Sequence, residues 1–217
     1  MNPIKALRYL WRATITPGSV FNAGEKPSAR LATMGLIYLL LAATFLLFLS
    51  AFLFGLDTTT HESGYTVRTG DVLAFQVVTP IRRLLFPLYW LAYAVFVFLL
   101  RYGMLFVLDE SGRSPRVAWA LTATAAAAPV SAGFLLGLMN NLLPLFDPNE
   151  TVGPLLVTRF VISLLIFAAG FILEARVWIL GSWQYFEQKF RRSVLTYLTP
   201  FFSALVLAAG WIVLGSI

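Results

Sequence analysis

The chain has 217 residues, 59% of them hydrophobic and only 12% charged, with a mean hydropathy of +0.80, which excludes an ordinary soluble domain and places it among helical membrane proteins. Its net charge of +6 sits mostly between apolar runs, pointing to lipid surfaces and topology rather than to nucleic acid. With no cysteine, disulfides, thiol catalysis and Cys-ligated metals are excluded.

Residues 1–30 read as a cytoplasmic amphipathic segment. Within it, residues 3–15 form a helix with Lys5, Arg8 and Arg12 on one side and Ile4, Leu7, Leu10, Trp11 and Ile15 on another. Such a helix lies at the headgroup level, with Tyr9 and Trp11 as anchors and its cations toward anionic lipid. The alternative is that it packs on the protein's own cytoplasmic loops. Thr16 to Ser19 break the helix before the chain resumes an ordered approach at Val20 and Phe21. No secretory signal pattern precedes the first apolar run, so that run is expected to be retained.

Residues 31–217 form the transmembrane domain. Five apolar runs, 31–56, 84–107, 117–140, 154–180 and 194–217, are each long enough to cross about 30 Å of hydrocarbon as a helix. Lipid offers no partner to a bare backbone, and continuous rather than alternating apolarity rules out a barrel. The predicted fold is therefore all-α: a polytopic bundle of five transmembrane helices with an N-terminal amphipathic interfacial helix.

Lys and Arg divide unevenly between alternate segments. Twelve fall on the face that carries the N-terminus and three, Arg68, Arg82 and Arg83, on the other, with Arg159 inside a span. The positive-inside rule predicts a multi-pass protein of the cell membrane with a cytoplasmic N-terminus and an extracytoplasmic C-terminus. Between the first two spans, 57–70 reads as a polar outer loop and 72–78 as a re-entrant or interfacial piece. His61, the only histidine, lies in that loop without a partner that would make a metal site. Residues 149–151 spell a glycosylation tripeptide of little weight.

The third span is rich in small residues, which lets helix backbones approach closely. Gly133 and Gly137 form a GxxxG pair suited equally to another span of this chain or to a second copy in a homo-oligomer. Pro129 removes a backbone hydrogen bond in mid-helix and predicts a kink. Pro87 and Pro200 fall near the starts of the second and fifth spans, where proline costs little.

Charged groups at membrane depth are the candidates for function. Arg159 and Arg176 lie close enough to span ends to snorkel. Glu174 has a shorter reach and can pair with Arg101 on the second span or with Arg176 or its neighbours, holding the cytoplasmic ends of helices together. Ion coupling would want a second carboxylate at similar depth, and no other span supplies one. No nucleotide loop, nucleophile elbow, zincin motif or intramembrane Asp pair is present, so no catalytic residue, cofactor or metal is expected.

Several stretches resemble the Yip (Ypt-interacting protein) domain family of five-span membrane proteins. These are Thr16-Pro17-Gly18-Ser19-Val20-Phe21 with Glu25-Lys26-Pro27, the segment from Ser114 to the Pro129 helix, and the aromatic-basic turn from Tyr185 to Pro200. The short termini are similar to the prokaryotic branch. The resemblance implies a non-enzymatic integral protein, associated in eukaryotic members with Rab-type GTPases and in some bacterial members with ABC-type exporters. The leading expectation is an adaptor or accessory protein whose basic, aromatic cytoplasmic face (Trp11, Trp178, Trp183, Tyr185, Phe186, Lys189, Arg191 and Arg192, with Lys5, Arg8 and Arg12) docks anionic lipid and a membrane-protein partner. The competing expectations are that this charge serves orientation alone, that the chain is a small transporter or channel with a path past Glu174 and Pro129, and, more weakly, that it is a lipid-modifying enzyme.

Overall fold

The structure, a computed structural model, describes residues 2–21, 27–55, 84–108, 114–142 and 154–215. The readings made at residues 57–78, including His61, at Arg82 and Arg83, and at 149–151 lie outside these residues, as does the side chain of Arg159.

Among the described residues every regular element is a helix. α1 (Pro3–Ile15) begins on proline, whose missing N–H is not needed in a first turn, behind an Asn2 cap whose side-chain oxygen accepts the Ile4 N–H at 2.9 Å. Thr16 closes it, and Pro17 opens the single turn α2 (Pro17–Phe21) at once, earlier than the break expected through Ser19. Five helices long and apolar enough to cross a membrane follow: α3 (Ala29–Gly55), α4 (Phe86–Val107), α5 (Pro115–Leu142), α6 (Pro154–Phe186) and α7 (Phe190–Gly215).

Two boundaries differ from the hydropathy reading. α6 continues through Gly181 and Ser182 to Phe186, because mixed polarity does not stop a helix when no proline or capping residue intervenes. It ends where Glu187 adopts a left-handed φ of 52°, and α7 starts three residues later, ahead of the expected 194. Pro200 consequently lies inside α7 rather than near its start, and its absent N–H leaves the Thr196 carbonyl without its helical donor. Pro129 is likewise carried inside an unbroken α5.

α5 is the axis of the bundle. Of its apolar stretch 67% is buried, against 39% for α3 and 17–22% for the others. Its alanines, among them Ala118, Ala120, Ala123 and Ala126, present almost no side-chain bulk, so neighbouring helices press close to it. α3, α4, α7 and α6 follow one another around this axis, and α1 stands between α3 and α6. α1 therefore packs on the spanning helices themselves, a third arrangement beside the two foreseen. Its Ala6, Leu10 and Ala13 are buried. Ala6 lies so near α3 that a Cβ placed on Gly35 would stand 2.8 Å from the Ala6 carbonyl oxygen. The Thr14 hydroxyl lies 2.9 Å from the Leu10 carbonyl and 3.4 Å from that of Thr124, which is about 14 Å along α5. α1, α2, the starts of α3, α5 and α7 and the ends of α4 and α6 share one end of the molecule, the basic end.

Candidate functional site

Glu174 lies near the middle of the 27-residue apolar stretch of α6, and neither its side chain nor that of Arg101 on α4 has any exposed surface. An isolated carboxylate there would be very costly, so its partners define the site. Arg101 Nη2 donates to Glu174 Oε1 at 3.1 Å, and the Tyr93 hydroxyl, two turns along α4, donates to Oε2 at 2.7 Å. Both carboxylate oxygens are thus engaged from one helix.

The guanidinium is held differently. Arg101 Nε and Nη1 find no acceptor among the described residues. Two aromatic faces meet the cation instead: Arg101 Cζ lies 4.8 Å from the Trp178 ring centre and 4.9 Å from that of Tyr197. In a desolvated setting such contacts are worth about 2 kcal/mol or more. The two rings are themselves fixed. The Tyr197 hydroxyl donates to the Phe171 carbonyl at 2.9 Å and the Trp178 indole N–H to Thr196 Oγ1 at 2.9 Å. The Thr196 hydroxyl in turn lies 3.0 Å from the Ser193 carbonyl and 3.3 Å from Gln188 Oε1, in the turn between α6 and α7. The cluster therefore ties α4, α6 and α7 together.

Of the candidate charges, the structure brings Glu174 and Arg101 together and sends Arg176 elsewhere. Two residues beyond Glu174, Arg176 points about 200° around the helix and is exposed. Tyr93, Trp178 and Tyr197 were missed as members of the site. The available signal was Trp178, one turn from Glu174, but apolar composition does not separate inward aromatics from lipid-facing ones.

Gly133 and Gly137 do not serve as one backbone-to-backbone seam. Gly133 receives the Trp90 ring of α4 and Gly137 the Leu47 side chain of α3, so two different helices of this chain occupy the GxxxG face. Close backbone approach occurs at Gly170 instead, where an added Cβ would stand 2.8 Å from Ala132 Cβ and 3.2 Å from Pro129 Cα. Pro129 thus marks the contact of α5 with α6.

Two surface features flank α1. On one side is an apolar notch of about 440 Å³, whose lining includes Trp11 of α1, Leu39 of α3, Ala128 and Leu135 of α5 and Ala169 of α6. On the other, Lys5, Arg8 and Arg12 rim a groove of about 520 Å³ bounded by Tyr9, Val20 and Leu31. Tyr9 is not an interfacial anchor: it is half-buried, and its hydroxyl accepts the Ser28 N–H at 3.2 Å. Burial raises its phenol above the ordinary value and keeps it neutral. Trp11, by contrast, is 67% exposed.

At the turn between α6 and α7, Lys189, Arg191 and Arg192 are exposed beside Trp183 and Phe190. Trp178 and Phe186, assigned to the same face from sequence, are fully buried, and Tyr185 is half-buried with its ring edge-on to Phe21. Helical phase turns them inward. No family model, curated sequence or solved structure matches this chain.

Proposed function

We propose that this chain is a non-enzymatic accessory protein of the Yip type, seated in the cell membrane with its basic end in the cytoplasm, that works by contact with lipid and with another membrane protein. The observation that carries the reading is the closure of the intramembrane polar cluster. Glu174 has both oxygens engaged and no exposed surface, and Arg101 is clasped between two rings, so the charges fasten three helices rather than face a route. What the turn between α6 and α7 presents outward is cation and aromatic surface, Lys189, Arg191 and Arg192 with Trp183 and Phe190, around one exposed carboxylate, Glu187.

The test is purification of tagged protein from its native membrane in mild detergent, with and without Lys189→Glu, Arg191→Glu and Arg192→Glu together. A membrane-protein partner recovered at fixed stoichiometry with the parent chain, and lost with the triple variant, is the expected result. Recovery of the parent chain alone overturns the reading. Solute or proton flux in liposomes that Glu174→Gln abolishes would replace it with the transport reading.

A further inference from the structure

We infer that α1 forms a specific site for one acidic phospholipid, with the phosphate on Arg8 and Arg12 and an acyl chain passing over Trp11 into the apolar notch on the other side of the helix. The inference rests on the membrane placement in the reading above and is independent of its protein partner.

The arrangement follows from how α1 closes the bundle. With 13 residues it is about 20 Å long, so it fills only part of the gap between α3 and α6 and leaves the rest as the notch. Small side chains keep that space open, since Ala128, Ala132 and Ala169 offer little bulk to fill it. The walls also select an apolar occupant. The two hydroxyls that reach the notch are both committed within their own helices, Thr14 to the Leu10 carbonyl at 2.9 Å and Ser131 to the Ala127 carbonyl at 2.8 Å. A polar solute would lose its hydration there and gain no partner, whereas an acyl chain loses nothing. The volume of about 440 Å³ is that of an ordinary ligand pocket, about 300–1,000 Å³.

The outer surface of α1 supplies the rest in the order a phospholipid requires. Its buried side holds Ala6, Leu10 and Ala13, and next to it runs an exposed apolar flank of Ile4, Trp11 and Ile15. Beyond that flank come the exposed cations Lys5, Arg8 and Arg12. Arg8 and Arg12 are one turn apart, and each lies three residues before a member of the flank, Trp11 or Ile15, so cation and apolar surface adjoin along the helix. Residues 2–21 contain no Asp or Glu to neutralise the row. A phosphate bridging the two guanidiniums gains charge-assisted hydrogen bonds, and a net negative headgroup is favoured over a zwitterionic one. Trp11 then covers the passage between headgroup and chain, a position suited to an amphipathic ring.

The experiment is native mass spectrometry of the full-length protein in detergent, titrated separately with palmitoyl-oleoyl phosphatidylglycerol and with the phosphatidylcholine of the same chains. The parent protein is expected to retain one phosphatidylglycerol in preference to phosphatidylcholine. Arg8→Gln with Arg12→Gln should reduce that preference by about tenfold while leaving phosphatidylcholine binding as it was. Ala169→Phe, which fills the notch from an exposed position, should weaken both lipids alike, with unchanged elution and melting showing that the fold is intact. Equal retention of the two lipids by the parent chain overturns the headgroup site, and undiminished binding to a folded Ala169→Phe overturns the notch. Displacement of phosphatidylglycerol by inorganic phosphate would show an anion site without a chain seat. A protein that forms dimers through the notch and excludes lipid would show a second copy as the occupant.

Discussion

The two sides of the α5 axis are held by opposite means. Toward α4, α6 and α7, the helices are fastened by charge and aromatic rings: Arg101, Glu174, Tyr93, Trp178 and Tyr197. Toward α1, α3 and α6, they are fastened by near absence of side chain, with Gly35 against Ala6 and Gly170 against Ala132. Hydrocarbon provides no hydrophobic drive between spans, so a bundle must rely on directional polar contact or on close van der Waals packing. The polar side specifies which groups must meet and where along the helices. The packed side tolerates voids, and the notch lies there.

Unfolding measurements in mixed micelles can break this contrast. The largest effect is expected from Glu174→Leu, which strands the Arg101 cation and should cost about 3–5 kcal/mol. Adding Arg101→Met should restore much of that loss. If the double variant were as unstable as the sum of the two single variants, the pair would not be the fastening. Tyr93→Phe removes one hydrogen bond to a charged acceptor and should cost about 1.5–3 kcal/mol, without the strong salt sensitivity of a surface pair.

On the packed side, Gly35→Leu should cost about 1–3 kcal/mol, because the obstructing group is the α1 backbone. Its distinguishing readout is faster proteolysis or amide exchange confined to residues 3–15, since the clash can be relieved by undocking α1. The same method should rank Gly181→Ala below it, where the neighbour is the flexible end of Leu121. The smallest effect belongs to Trp119→Phe, which deletes a single neutral bond to Thr33 between α5 and α3, worth about 0.6 kcal/mol. A Trp119→Phe loss as large as that of Glu174→Leu would erase the distinction between the two sides.

Much of this architecture is legible in composition, and the polar fastening partly so. Continuous apolarity locates all five spanning helices, because backbone satisfaction in lipid leaves few alternatives. Glu174 declares itself by its cost, and Arg101 on the second span is a cation within its expected depth. What pattern reading does not deliver is azimuth. Gly133 and Gly137 match a dimer motif, yet they take side chains from two helices of the same chain, and Trp178 matches a surface aromatic yet is wholly enclosed. When every side of a helix is apolar, periodicity carries almost no information about which side faces inward. α1 is the converse case. Its amphipathic pattern is strong and predicts its bounds, residues 3–15, but the apolar stripe that would suit a bilayer surface equally suits a seat on α3 and α5.

That ambiguity has a counterpart in time. Thr14 and the Thr124 carbonyl it approaches are 110 positions apart in the chain. At about 5–20 residues per second, α1 leaves the ribosome on the order of ten seconds before the third spanning helix that seats it has been made. For most of that interval α3, on which Ala6 and Leu10 lie, is already made, but the α5 surface that Thr14 approaches is not, so the part of α1 that later faces α5 can meanwhile face the bilayer surface. The amphipathic sequence of α1 thus suits two hosts, a bilayer surface and the bundle.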